Sequence, residues 1–264
     1  MPELPEVETM VRGLHPIVGR RIVDAEITDE RLALRSKDLI GASIEHVTRR
    51  GKHIVIGLDG RGDLVVHLRM SGRLRLDRSE DEVRYTRMIL HLDSGASVYF
   101  INPRRLGTAV LCPEGFEADL GVDPTTPAFT VEALGALSER SRAPIKHLLL
   151  DQRRIAGIGN IYAAEALWRA GIDPRRRSNS LKTEEISGLH RGITSVLAEA
   201  IAQLGTTIGN SVSDYRPSAN EGGEFQNHLA VYGRENEPCE RCGETIERVT
   251  QAGRSTCYCP ACQT

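Results

Sequence analysis

The sequence predicts an α+β protein of two domains, and three features of its residue pattern support this. Short β-like runs separated by turn residues fill residues 20–111, which favours an antiparallel sandwich or barrel. Helical patterns take over from residue 130. Five of the six cysteines lie in the last 34 residues. Strands followed by a block of helices are typical of α+β folds or of separate domains.

The composition is that of an ordinary globular protein. The chain has 264 residues, of which 40% are apolar and 27% charged, enough for one large or two modest cores. No apolar run approaches the ~20 residues that a membrane-spanning helix needs. The first residues lack the basic and apolar regions of a signal peptide. We therefore expect a cytoplasmic protein.

The first predicted element is a helix over residues 5–17. Its apolar residues recur at helical spacing, and Pro5 suits the first turn, as do Glu6 and Glu8 at the positive end of the helix dipole. The apolar residues of this stripe are Val7, Met10, Val11 and Leu14.

Strands are predicted in the region that follows, and helices beyond a linker. The predicted strands are the runs RRIVDAEI, HIVIGLD, DLVVHLRM, RMILHL, SVYFI and GTAVL. The predicted helices cover residues 130–139, 144–151, 160–170 and 183–204. These elements divide the chain into a strand-rich domain (1–112), a linker (113–129), a helical domain with a long polar loop at 205–223 (130–223) and a cysteine-rich segment (224–264).

Positive charge is concentrated in one region, although the formal net charge is −2. Residues 140–180 contain nine Lys or Arg and three acidic residues, an excess able to hold phosphates. On charge alone, a solvated arginine-rich surface is the favoured interpretation.

Four cysteines have the spacing of a zinc site. Cys239 and Cys242 form one Cys-x2-Cys pair, and Cys259 and Cys262 form another sixteen residues later. Four thiolates so spaced suit one tetrahedral structural zinc ion, with no open position for catalysis. Two disulfides are the alternative, which a reducing compartment disfavours.

A glycine-containing turn joins two predicted helices in the segment RRIAGIGNIYA. Gly157 and Gly159 permit a tight turn, and Asn160 occupies the expected N-cap of the next helix. Exposed amides at that helix start and nearby arginines favour a phosphate site. Such turns are also common where nothing binds.

Six motifs together resemble one family closely. They are PELPEVET, RRGKHIVI, HLRMSG, NPRRLG, LLLDQRRIAGIGNIYA and the terminal VYGRENEPCERCGETIERV…GRSTCYCPACQ, in family order from residue 2 to residue 263. They resemble the formamidopyrimidine-DNA glycosylases of the Fpg/Nei group. The resemblance implies a β-sandwich, a helical domain with a helix–two-turn–helix element and a zinc finger. It also implies a monomer associated with the nucleoid, whose partner is double-stranded DNA containing oxidised bases or abasic sites.

The resemblance gives the opening residues a chemical role. Removal of Met1 is favoured when a small residue such as Pro2 follows, and it leaves a secondary amine whose pKa is about 8 before tuning. Amines form Schiff bases with sugar carbons. The resemblance implies that Pro2 is the nucleophile and that Glu3 is the acid/base. Glu6 resembles a residue that supports the lesion pocket.

The resemblance also implies further site residues. Lys52 resembles the proton donor for β-elimination, and Arg254 the residue associated with δ-elimination and phosphate binding. Bases must leave the duplex to be excised, and apolar wedges fill such gaps. The resemblance implies three void-filling residues, which are Met70, Arg104 and Leu106. It implies DNA contacts at His67, at Asn160 and, in the same motif, at Tyr162.

Taken singly, these residues also have ordinary structural explanations, such as helix-dipole or surface charges and strand packing.

The chain departs from the family pattern at four positions. Leu106 replaces a common Phe, Arg69 a usual Gly, and Tyr85 with Arg87 a pair of histidines. We expect excision of oxidised purines, namely 8-oxoguanine and formamidopyrimidines. Oxidised pyrimidines, or DNA binding without catalysis, are the alternatives.

Overall fold

The chain folds into two compact units, seen in a computed structural model that describes residues 1–207, 215–217 and 221–264. The first unit comprises residues 1–118 and 201–226, and the second comprises residues 119–200 and 227–264. Parts of the loop at 205–223, namely residues 208–214 and 218–220, lie outside the described residues. Within the described ranges, no helix combines the length and the apolar character needed to cross a membrane.

The first unit begins with helix α1, Leu4–Leu14, which continues as a 3-10 turn over His15–Ile17. The prediction of one helix over residues 5–17 is therefore confirmed in position, with a tighter last turn. The stripe that includes Val7 and Leu14 is buried, as its helical spacing requires.

Two four-stranded antiparallel sheets make up most of the first unit. The first has the order β1 (Ile22–Ile27), β6 (Thr86–Leu92), β7 (Ser97–Ile101) and β5 (Arg73–Arg75). The second has the order β2 (Ile44–Arg50), β3 (His53–Leu58), β4 (Gly62–His67) and β8 (Thr108–Cys112). Between β1 and β2 lies a short helix α2, Ser36–Leu39. One core of mainly aliphatic side chains from α1 and both sheets stabilises the sandwich.

All six predicted strands are confirmed, and two strands of the first unit, β2 and β5, were missed. The sequence of β2 does not alternate, because its register shifts at a bulge between Ile44 and His46. Strand β5 is three residues long and buries two arginines, so its apolar pattern is absent. There Arg73 and Arg75 both form ion pairs with buried Glu82.

Four helices characterise the second unit, and their ends lie within two residues of the predicted ones. They are α3 (Val131–Glu139), α4 (Ile145–Leu150), α5 (Asn160–Ala170) and α6 (Thr183–Ala202). Helix α3 is capped by Thr130, whose Oγ1 accepts a hydrogen bond of 3.1 Å from the Ala133 N–H.

A hairpin near the C-terminus completes the second unit. It consists of β9 (Glu247–Gln251) and β10 (Arg254–Tyr258), and it packs against α5. Ala252 and Gly253, which connect the strands, both have positive φ, as a type I′ turn requires. Three cysteines (Cys239, Cys257 and Cys259) belong to its small core.

Candidate active site and nucleic-acid interface

The N-terminal segment is held by a reciprocal pair of hydrogen bonds at the start of α1. Glu3 is the N-cap, and its side chain accepts from the backbone of Glu6. In return, the Glu3 N–H donates to Glu6 Oε2 over 2.7 Å. Glu3 and Glu6 are only 3% and 1% exposed, and Pro2 is also buried. The residue proposed as nucleophile thus directly precedes a rigid, buried cap.

The turn that carries Lys52 is tied to the same helix by Arg49. Arg49 Nε lies 3.0 Å from Glu8 Oε2 on α1, and Arg49 Nη1 donates to the carbonyl of Gly51. Lys52 itself is 7% exposed. Because one arginine links α1 to the residue preceding Lys52, the turn has a defined position relative to the N-terminal cap.

Several predicted residues meet at one end of the sheet β2–β3–β4–β8. His53, which follows Lys52, pairs with His67, and His67 also pairs with Thr108. The loops that hold Met70 and Leu106 begin or end at these positions. The topology therefore brings Lys52, His67 and both loops together although they are up to 54 residues apart, the span from Lys52 to Leu106.

His67 is a neutral hydrogen-bonding group at physiological pH. Burial, together with the charges of His53, Arg69 and Lys52, lowers the pKa of His67 to about 3. Its Nδ1 lies 3.0 Å from the Arg69 N–H and accepts from it, so the neutral ring carries its proton on Nε2. His67 can therefore offer an N–H to a phosphate oxygen.

Arg69, which stands where the family usually has Gly, has an unusual backbone conformation. Arg69 has φ of 51°, a conformation that glycine adopts without steric cost and other residues seldom adopt. The turn is thus the one that glycine favours, and the arginine side chain adds an exposed charge beside Met70.

Three residues predicted to fill the gap in DNA are exposed. Met70 is 44% exposed and Leu106 53%, so neither side chain is packed in the core. Arg104 is exposed as well. Their exposure on loops argues against ordinary strand packing, the alternative explanation for Met70 and Leu106.

Glu6 also holds the base of the polar loop, a role that sequence reasoning did not identify. Its Oε1 accepts from the Thr206 N–H over 2.8 Å. The Tyr215 hydroxyl donates to the Leu204 carbonyl over 3.1 Å. Burial raises the pKa of Tyr215 well above its usual value, so that it stays protonated. One carboxylate therefore joins the N-terminal cap of α1 to the start of the loop.

Replacing Glu6 by glutamine is expected to lower the free energy of unfolding by about 1–3 kcal/mol. An amide can accept through one oxygen only, so its NH2 faces one of the two N–H donors of Glu3 and Thr206. Denaturant unfolding measures the change. Glu8→Gln, on the same helix but in a partly exposed ion pair, is the control and should cost less than about 1 kcal/mol. Equal losses in both variants would contradict the role of Glu6.

In the second unit, the structure corrects the role of Asn160 at the helix start. Gly159, not Asn160, is the N-cap of α5. The Asn160 side chain instead donates to the Ser255 carbonyl over 3.0 Å, and its Oδ1 is buried without a hydrogen-bond partner. The amide thus contacts the residue next to Arg254, which is exposed on β10. Asn160 and Arg254 lie on one surface of this unit.

Tyr162 is buried in the structure. Only 1% of this residue is exposed, since α5 turns it into the core. The DNA contact that the resemblance implies for Tyr162 stays a prediction, and the side chain packs in the interior here.

Lys146 is buried as well, although the sequence counted it among the surface charges. It is 0% exposed, and its Nζ donates to Thr256 Oγ1 over 2.7 Å. It therefore fixes β10 beside Arg254.

Most other basic residues of the 140–180 region are paired with carboxylates, so the local excess of positive charge is smaller than the residue count suggests. The pairs are Arg153–Asp119, Arg154–Asp151, Arg169–Glu199, Arg175–Asp173 and Arg176–Glu185.

The four predicted zinc ligands converge. Their Sγ atoms all lie within 4.8 Å of one another. The Cys239–Cys262 and Cys242–Cys259 sulfur atoms are 4.0 and 3.5 Å apart. Zinc–sulfur bonds of about 2.3 Å in a tetrahedron place sulfurs about 3.8 Å apart. The donor set therefore fits one structural zinc ion, and the cysteines are free thiols rather than disulfides.

Three family models match successive parts of the chain. They are the formamidopyrimidine-DNA glycosylase N-terminal domain at residues 1–109, the H2TH domain of the same enzymes at 120–212, and the zinc finger found in FPG and IleRS at 236–264. The chain belongs to the formamidopyrimidine-DNA glycosylase family. It is a DNA glycosylase of base excision repair with a zinc finger.

Relatives of known name match the whole length of this family member. The formamidopyrimidine-DNA glycosylase of Paracoccus denitrificans is 42% identical over 285 aligned positions, with 100% of both chains covered. The crystal structure of MutM (FPG) from Thermus thermophilus has a TM-score of 0.89 and 40% identity, covering 99% of this chain and 98% of that one.

DNA complexes of a third member, from Lactococcus lactis, are also similar. A mutant of that protein with a Fapy-dG containing DNA has a TM-score of 0.88, 33% identity and full coverage of both chains. The wild-type Lactococcus lactis protein with an oxidized pyrimidine containing DNA has a TM-score of 0.86, 33% identity and full coverage. The fold described above is thus that of the formamidopyrimidine-DNA glycosylases.

Proposed function

We propose that this chain is a bifunctional glycosylase and AP lyase that excises oxidised purines from double-stranded DNA through a Schiff base at Pro2. The observation that carries the proposal is the buried cap at the N-terminus, where Glu3 and Glu6 hold the residue that follows Pro2. The complex of the Lactococcus lactis relative with a Fapy-dG containing DNA supports the substrate class. The protein acts as a monomer on the DNA of the nucleoid.

The reaction begins when the Pro2 amine, freed by removal of Met1, attacks C1′ of the damaged nucleotide. The N-glycosidic bond breaks and its electron pair leaves with the base, which takes a proton. Glu3, adjacent to Pro2 and buried, is the acid/base that supplies this proton or protonates the sugar oxygen. The nitrogen then loses its own proton, the C1′–O4′ bond breaks as O4′ takes a proton, and the nitrogen lone pair forms the iminium double bond to C1′.

Strand cleavage follows from the iminium. Loss of a C2′ proton expels the 3′ phosphate by β-elimination, and a second elimination expels the 5′ phosphate. Lys52 is the proton donor for the first step, because Arg49 places its turn beside α1. Arg254 assists the second through phosphate binding from its exposed position on β10.

Other residues bind and deform the DNA. His67 Nε2–H and the Asn160 side chain contact phosphates. Met70, Arg104 and Leu106 occupy the space that the extruded nucleotide leaves.

Excision of oxidised pyrimidines by the same chemistry is the second candidate. Leu106 leaves room for it, since an aliphatic side chain fills space but does not stack on the opposite base as Phe would. The complex of the Lactococcus lactis relative with an oxidized pyrimidine containing DNA also supports it.

Borohydride trapping distinguishes these functions. Duplexes containing 8-oxoguanine, thymine glycol or an abasic site are incubated with the protein and reduced. We expect covalent adducts with 8-oxoguanine and with the abasic site, because both lead to the Pro2 iminium. An adduct with thymine glycol or the abasic site only would overturn the purine preference. No adduct with any substrate would leave a DNA-binding protein without catalysis.

A further inference from the structure

The loop between β7 and β8, residues 102–107, is closed by an internal clamp. Asn102 is 1% exposed, and its side chain pairs with both backbone groups of Gly107. Nδ2 donates to the Gly107 carbonyl over 3.1 Å, and Oδ1 accepts from the Gly107 N–H over 3.3 Å. The Arg105 N–H donates to the Asn102 carbonyl. The ends of the loop are therefore fixed by Asn102, and its tip carries Arg104, Arg105 and Leu106.

The tip is fixed by a second clamp, from outside the loop. Arg105 Nε lies 2.9 Å from Asp29 Oδ2, and Arg105 Nη2 lies 2.7 Å from Asp29 Oδ1. This is the two-pronged geometry that arginine forms with carboxylates. Asp29, which follows β1, is 1% exposed and also accepts from the Arg31 N–H over 3.2 Å. The Asp29 carboxylate is therefore fixed by burial and by the Arg31 N–H in addition to its pair with Arg105.

The backbone conformation of Arg105 is one that suits glycine better than arginine, which indicates that the arginine side chain has a specific role at this position. Arg105 has φ of 52°, in the left-handed region. Glycine would adopt this conformation without steric cost, whereas an arginine here strains the backbone. The Asp29 pair opposes that strain, because it requires the guanidinium in this position.

The neighbours of Arg105 are the residues that the proposed function places in the DNA. Arg104 and Leu106 flank it and are exposed, Leu106 by 53%. An exposed tip without anchors would have to be ordered when it enters the duplex, which weakens binding. With Arg105 anchored, its two neighbours are ordered beforehand.

We propose that Asp29 is a positioning residue for base extrusion, which acts through Arg105 to pre-order Arg104 and Leu106 for the gap left in the duplex. This inference rests on the proposed function. The Arg105 hydrogen bonds lower the pKa of Asp29 to about 2 although burial acts in the opposite direction, so the pair is intact at any ordinary assay pH. Asp29 touches neither substrate nor the reacting atoms.

The test compares a substrate that needs extrusion with one that does not. Single-turnover excision of 8-oxoguanine from a duplex requires the gap to be filled, whereas borohydride trapping on a single-stranded abasic oligonucleotide does not. We expect Asp29→Asn and Arg105→Gln to slow duplex excision about tenfold and to leave single-stranded trapping within about twofold, since only positioning is lost. The double variant should be no slower than either single variant.

The matched control is Asp38→Asn, which breaks a two-pronged but exposed pair with Arg35 in the same unit. It should match the wild type on both substrates. Fluorescence of 2-aminopurine opposite the lesion gives an independent readout, because an ordered wedge unstacks that base. Asp29→Asn should reduce the fluorescence rise, and Asp38→Asn should not.

Two results would overturn the inference. One is Asp29→Asn excising from duplex DNA at the wild-type rate, and the other is an equal loss on both substrates. If Asp29→Asn fails to fold, the same two assays are applied to Arg105→Gly, since glycine keeps the φ of 52° while the ion pair is removed. Wild-type protein that traps neither substrate would instead refute the proposed function, and the two failures are thereby distinguishable.

Discussion

Replacing Pro2 by glycine is expected to reduce covalent trapping on abasic DNA on the order of 100-fold, because a positioned nucleophile loses its geometry. Glycine still permits removal of Met1 and leaves an amine, but a primary and freely rotating one. The proline ring restricts the nitrogen, and the buried cap formed by Glu3 and Glu6 aims it. Time courses of borohydride trapping measure the loss.

The Pro2→Gly variant should lose covalent trapping but keep most of its affinity for DNA. Affinity for a duplex with an uncleavable abasic analogue, followed by fluorescence anisotropy, should change less than about threefold, because Pro2→Gly removes no phosphate contact. Pro5→Ala, in the first turn of the same helix, is the control and should trap at nearly the wild-type rate. Intact mass identifies molecules that retain Met1, whose amide nitrogen is not nucleophilic. Undiminished trapping by Pro2→Gly would refute the proposed nucleophile.

Replacing Cys259 by serine is expected to remove the zinc ion, unfold the hairpin β9–β10 and abolish tight DNA binding. A two-stranded hairpin is marginal alone, whereas structural zinc contributes about 10–16 kcal/mol in finger peptides. The hairpin carries Arg254, and it supplies Ser255 and Thr256 to Asn160 and Lys146. Zinc content and anisotropy measure the two losses.

Cys257 provides a matched control for the zinc ligands. It is 5% exposed and lies two residues from Cys259, yet it is not in the group of four converging sulfurs. The Cys257→Ser variant should retain the zinc ion. Its free energy of unfolding should fall by only about 1–3 kcal/mol, the cost of burying a hydroxyl group. Zinc loss from Cys257→Ser, or zinc retention in Cys259→Ser, would refute the ligand assignment. The sandwich core of the first unit should stay folded in both variants, because it contains no ligand.

Local patterns were sufficient where one segment determines its own structure. The helical spacing around Val7 and the alternation in most strands predicted elements to within a few residues. The cysteine spacing predicted the metal site, since two short loops place the four sulfurs. Patterns failed for β5, where Arg73 and Arg75 are buried and their ion pairs with Glu82, outside the strand, make this burial tolerable.

The motifs also predicted which residues carry the chemistry, but not how those residues are held. The sequence by itself determined the fold class and the zinc ligands, because patterns and spacing along the chain encode them, and the family resemblance of its opening motif predicted the nucleophile. Only the tertiary structure decided that Glu6 binds Thr206, that Glu165 accepts three backbone N–H groups of residues 230–232, and that Asp29 anchors Arg105. It also moved Tyr162 and Lys146 from the surface to the interior. Burial and pairing across 65 or 200 residues depend on how sheets and helices pack, and no local pattern records that packing.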